Sequence, residues 1–193
     1  MEPDGPGPLT PAAGPALPDQ RERGALPYLE ALYRYGAQRL AHAQHVLGDE
    51  LPELIEARYL QVLHGTLGPV VVPGRLGYLA LGVRARDLST PTATDQVALR
   101  DAVRMAVHRG YTVQEVTSRA VRLTDNRGRG HVMYVRVSLG PLSAGTVRDL
   151  LRHHRASLQR EQGTLILVTL WPKKYALQLH RQARLQVWDL AST

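Results

Sequence analysis

The chain has 193 residues, about 44% of them hydrophobic, with no Cys, no Phe and a formal net charge of +7. That apolar content is enough for a packed core built from Leu, Val, Ala and Tyr, and it excludes a wholly disordered chain. The missing cysteines exclude disulfides, a thiolate nucleophile and any Cys-ligated zinc or iron–sulfur centre.

Residues 1–27 hold seven of the 13 prolines and few large apolar side chains, so they read as a flexible tail. The tail is acidic and lacks a basic segment followed by an apolar run, so no secretory leader is expected, and a cytoplasmic location is. No stretch approaches the apolar length needed to span a bilayer.

From Tyr28 to Leu47 the positions Leu29, Leu32, Gly36, Leu40, Ala43 and Leu47 recur at helical spacing and predict one helix ended by Gly48-Asp49. Pro52 opens a second helix through Leu54, Ile55, Tyr59, Val62 and Leu63 to a stop at Gly65. "PVVVPGRLGYLALGV" then predicts strands Val70–Val72 and Tyr78–Val83 around a Pro-Gly turn. Two helices followed by a hairpin suggest a helical, winged-helix-like domain over residues 28–86. Its "YLALG" ending resembles the winged-helix part of plasmid replication-relaxation proteins. The polar, Ser/Thr/Pro-rich residues 87–94 read as a linker.

Beyond it, Leu99, Ala102, Val103 and Ala106 mark a helix stopped by Gly110. "YTVQEVTSRAVRLTD" reads as one long strand or two short ones, and "HVMYVRVSL" as another. Thr146 to Glu161 is an amphipathic helix. "TLILVTL" lacks polar alternation and reads as a fully buried strand. Pro172 opens a further helix, and "LQVWDL" closes the chain as a strand. The order over residues 95–193 is α-β-β-β-α-β-α-β, an α/β class.

That order resembles the restriction-endonuclease-like fold in its Mrr-type branch. The likeness rests on Val168-Thr169 ending a buried strand, on the spaced Ala176 and Ala183, and on Asp189 at a strand end. The resemblance implies metal-dependent phosphodiester hydrolysis. An Asp opens the motif, and a Glu or Gln, a spacer and a Lys follow on the next strand. Asp125 stands where the first Asp would be, but Tyr134 and Arg136 stand where Glu/Gln and Lys are needed. Tyr is a poor Mg²⁺ ligand and Arg does not give up its proton. Asp125 in Asp-Asn-Arg-Gly is also ordinary turn chemistry, and Glu115 is the one other nearby acid. The expectation is therefore a degenerate, non-catalytic domain without metal or cofactor. The alternative is a Mg²⁺-dependent nuclease using Asp125 and Glu115.

The charge points to a partner. Residues 1–96 hold 8 Arg and 11 acids, whereas residues 97–193 hold 16 basic and 6 acidic residues, a balance of −3 against +10. Codon bias accounts for 22 Arg against two Lys but not for this asymmetry. A half-chain so basic is suited to neutralising phosphates. On the helix from Thr146, Val147, Leu150, Leu151 and Leu158 share one arc, and Arg148, Arg152, Arg155 and Gln159 a neighbouring one. Arg127 and Arg129 add charge on a glycine-flanked hairpin tip, Arg136 on the strand that follows, and Lys173, Lys174, Arg181 and Arg184 further on. The expected partner is DNA, with double strands favoured, and a homodimer is compatible with both resemblances. A protein-interaction module meeting an acidic partner is a second alternative. RNA is disfavoured by the absence of an aromatic RNP-type signature. His42–His45 is an i,i+3 pair without a third ligand, and His153-His154 diverge on their helix. There is no P-loop, G-x-G-x-x-G or G-x-S-x-G motif.

Overall fold

The computed structural model describes residues 24–117, 119–176 and 182–192. It is a mixed α/β protein with two sheets. Among the described residues no helix is long and apolar enough to cross a membrane.

The first unit runs α1 (Ala25–Tyr35), β1 (Gln38–Arg39), α2 (Leu40–Leu47), α3 (Glu50–Glu56), β2 (Leu60–Gly65), β3 (Gly68–Pro73) and α4 (Arg75–Ala80). Its antiparallel sheet has the order β1-β3-β2. Tyr28, Leu29 and Leu32 of α1 pack with Ala43, Leu47, Leu51, Leu60 and Val71 into one buried cluster.

Three sequence expectations change here. The single helix predicted from Tyr28 breaks at Gly36, whose φ of 79° only glycine adopts freely, and the chain pairs briefly with Val70 and Val71 before turning helical again. The helix predicted to reach Gly65 ends at Glu56, and Leu60–Gly65 is a strand. The strand predicted over Tyr78–Val83 begins as helix α4. Gly77 lets that helix lie against the Tyr59 carbonyl, where a Cβ would collide.

α5 (Thr90–His108) begins inside the expected linker. Ser89 caps it, its side-chain oxygen accepting from the Thr92 N–H. Near its N-terminus, Ala93 and Val97 pack on Val70 and Val72 of the small sheet. Farther along, Ala98, Ala102, Met105 and Ala106 cover one face of the large sheet. One helix thus carries core contacts to both sheets.

The large sheet comprises β4 (Thr112–Val116), β5 (Ala120–Thr124), β6 (Gly130–Val135), β7 (Leu165–Thr169) and β8 (Leu185–Asp189), in that spatial order. β4, β5 and β6 form an antiparallel meander, and β7 and β8 join parallel. α6 (Ala144–His153) and α7 (Arg155–Arg160) make the crossover from β6 to β7 and cover the face opposite α5. Val121, Met133, Val135, Ile166 and Val168 face α5. Val132, Leu165 and Leu167 face Val147, Leu158 and Tyr175. With helices on both faces, all five residues of β7 are buried, as its uninterrupted apolar run implies. The helix expected from Pro172 begins as a 3-10 turn, Pro172–Tyr175.

Candidate nucleic-acid interface

The nuclease question turns on Asp125, which sits at the tip of the β5–β6 hairpin. Its Oδ1 accepts from the backbone N–H groups of Arg127 and Arg129, both at 2.9 Å. Its Oδ2 accepts from Arg129 Nε at 2.8 Å and lies 3.4 Å from His131 Nε2. His131 Nδ1 lies 2.9 Å from Thr164 Oγ1 and 3.3 Å from the Thr164 N–H, which turns Nε2 toward the carboxylate. Burial opposes ionisation of Asp125, but the two backbone amides, the Arg129 guanidinium and His131 outweigh it. Together they hold the carboxyl well below the usual carboxylate range. Both oxygens are engaged in holding the turn.

The other members of the expected motif are not with it. Glu115 stands opposite Arg122 in the β4–β5 ladder, three residues before Asp125, or roughly 10 Å of strand. It pairs with Arg122 at 3.6 Å. Tyr134 is opposite Ala120, at the far end of the hairpin from the Thr124–Gly130 pair that adjoins Asp125. Arg136, expected to add to the basic surface, is half-buried just past β6, its N–H donating to the Val168 carbonyl. These residues do not fit a Mg²⁺ site: Asp125 is saturated with donors, Glu115 is apart, and Tyr134 and Arg136 lie at the other end. The β4–β5 ladder thus places Glu115 apart from Asp125. Among the described residues, no three His, Asp or Glu side chains gather as metal ligands.

The arginines behave differently. Ser143 caps α6, its side-chain oxygen accepting from the Thr146 N–H at 3.1 Å, and the helix lays Val147 into the core. The chain kinks at His154, and α7 continues to Leu158, which is 1% exposed. This leaves Arg148, Arg152, Arg155 and Gln159 exposed along one edge. A groove of about 480 Å³ runs between that edge and the Gln182–Arg184 segment leading into β8. Leu151, Leu158 and Ala183 supply its apolar lining. Arg148, Arg152, Arg155 and Arg184 supply its charge, and among the described residues no acid lines it.

The four cations are not equally free. Arg152 pairs with Asp149 at 3.1 Å, both side chains being at least 70% exposed, so one acid touches the stripe. Such an exposed pair is worth about 0–1 kcal/mol and exchanges readily for another anion. Arg184 Nη1 donates to the carbonyls of Leu158 and Gly163, at 2.6 and 3.2 Å, clamping the end of α7. Arg148 and Arg155 have no ion pair among the described residues. Nearby, burial and then the His153 and Arg122 charges push His154 below the ordinary imidazole value.

The remaining candidates are dispersed. Arg127 is exposed at the hairpin tip and has no ion pair among the described residues, whereas Arg129 is tied to Asp125. Lys173 and Lys174 are exposed on the 3-10 turn and do not line the groove. Arg181 lies outside the described residues.

One contributor escaped the sequence reading. The Asp95 carboxylate, at the start of α5, accepts from the N–H groups of Val137 and Ser138, both at 3.0 Å, and from Ser138 Oγ at 2.9 Å. It fixes the exit of β6 across 42 residues of sequence, a pairing that no local pattern signals. Comparison of the chain with protein-family models, curated proteins and solved structures finds no match.

Proposed function

We propose that this is a non-catalytic DNA-binding protein whose interface is the arginine-lined groove beside α6 and α7. The observation that carries the reading is the convergence, among the described residues, of four guanidinium groups on one open groove with no acid in its lining. Guanidinium forks match phosphate oxygens two at a time, and groups placed along a groove edge can follow a sugar-phosphate backbone. Arg127, on the Asp125-ordered turn, would add a contact from the hairpin tip.

The fold context supports the same reading. A helix, a three-stranded meander, a crossover helix and a parallel strand, in that order, are what the resemblance to restriction-endonuclease-like domains requires, here with its catalytic positions replaced. In the first unit, two short helices followed by an antiparallel hairpin, formed by β2 and β3, are compatible with the winged-helix reading. Yet α3 exposes Glu53 and Glu56 beside Glu50, a poor surface for phosphate, so DNA contact is assigned to the second half of the chain.

The test replaces Arg148, Arg152 and Arg155 together with Glu. All three are exposed, so circular dichroism should report an unchanged fold, and retardation of a labelled duplex should be lost. A folded triple variant that binds DNA as the wild type does would refute the assignment.

A further inference from the structure

A second cationic site lies away from the groove, between β1–α2 and α5. Arg39, His42, Arg100, Asp101 and Arg104 line a cavity of about 40 Å³. One water needs roughly 10–15 Å³ measured in this way, so the cavity has space for about three water-sized oxygens.

Its chemistry is unbalanced. Among the described residues Asp101 is the one carboxylate in the lining, set against three guanidinium groups. Arg39 already holds its Oδ2, through Nε at 3.1 Å and Nη2 at 2.6 Å. Arg104 approaches the other oxygen at 3.5 Å while remaining 52% exposed, which leaves donors to spare. Arg100 donates only to the carbonyls of Ala37 and Tyr35. Desolvation lowers its pKa to about 10, partly offset by Tyr28, with Arg104 lowering it further. His42 Nε2 is shut off from solvent and has no hydrogen-bond partner. A buried orphan nitrogen beside an under-neutralised cation cluster calls for an acceptor.

We infer that this cavity binds a small oxyanion of the phosphate class, taking hydrogen bonds from His42 Nε2 and from the Arg100 and Arg104 guanidinium groups. Three of the four oxygens of a tetrahedral oxyanion match the room, and the anion offsets the surplus positive charge and satisfies the orphan nitrogen. The groups facing His42 are Gln38 and Arg39 from β1, Arg100, Asp101 and Arg104 from α5, and His45 from its own helix. At present burial, Arg104, His45 and Arg100, in that order, hold the imidazole below its ordinary pKa. A bound oxyanion offsets the positive charge around the imidazole and raises its pKa.

The experiment follows the His42 imidazole resonances of the full chain by NMR during titration with inorganic phosphate, against sodium chloride at equal ionic strength. A parallel arm uses a short duplex with and without a 5′-phosphate. Selective movement of His42 with inorganic phosphate, and a rise in its pKa, is the expected result and identifies a free anion. Movement only with the 5′-phosphorylated duplex would support the same chemistry with nucleic acid as its source. Arg104→Gln should weaken the response by about tenfold or more, the worth of one charge-assisted hydrogen bond. An Arg148→Gln/Arg155→Gln variant should leave the response to inorganic phosphate unchanged, since neither side chain lines this cavity. No selective shift in either arm, or an equal response in Arg104→Gln, would overturn the inference.

Discussion

Removing Arg148 and Arg155 together, as Arg148→Gln with Arg155→Gln, probes the groove where it is least entangled. Neither side chain has an ion pair among the described residues, and both are exposed, so their loss leaves packing untouched. The groove offers four guanidinium groups to phosphate. Each phosphate neutralised on duplex DNA contributes about −0.9 to the slope of log affinity against log salt, so four give about −3.6. Between about 50 and 200 mM salt that slope lowers affinity roughly 150-fold. The double variant should show a slope of about −1.8 and a fall of only about 12-fold. If Arg127 and Arg129 also engage, both slopes steepen, but the difference between them stays near 1.8. Fluorescence anisotropy of a labelled duplex over this salt range measures both. A folded double variant with the wild-type slope would refute the groove as the phosphate-binding surface.

Three further outcomes follow from the geometry. Because the Asp125 carboxyl is held below its ordinary range, its contribution to stability is complete above the unfolded value of about 4 and is lost as pH falls through the folded one. Denaturant titrations of Asp125→Asn should therefore show it less stable than wild type at neutral pH, the difference shrinking in strong acid. A Cβ at Gly163 would overlap the Gly130 carbonyl, so Gly163→Ala should cost about 1–3 kcal/mol or more and lower Tm by several degrees in calorimetry. Asp95→Ala strands the N–H groups of Val137 and Ser138 and should cost about 2–3 kcal/mol in urea unfolding, while leaving the groove's salt slope unchanged.

The sequence made some of this plain and hid the rest for definable reasons. β7 was readable because five buried positions in a row need layers on both faces. α6 and α7 were readable because apolar and basic residues fall in separate arcs, and those arcs became the core contact and the groove edge. The break after Glu56 was hidden because Ile55, Tyr59, Val62 and Leu63 satisfy helical spacing. The reversal is made at Arg58, a non-glycine residue with φ of 60°, so neither Gly nor Pro announces it. Tyr78–Val83 was misread because the Pro-Gly pair that looked like a hairpin turn instead ends β3 and starts α4. The Arg184 clamp and the Arg39–Asp101 pair join residues 21 to 62 apart in sequence, beyond the reach of any local pattern.

The most direct test of the central claim, DNA binding without cleavage, is one gel-shift titration of a labelled duplex at low salt, run with and without Mg²⁺ and read for both retardation and fragments. Retardation that is lost in the Arg148, Arg152 and Arg155 triple-Glu variant, with the duplex intact in every lane, is the predicted result. Failure of the wild-type protein to retard DNA, or Mg²⁺-dependent cleavage abolished by Asp125→Ala, would contradict it.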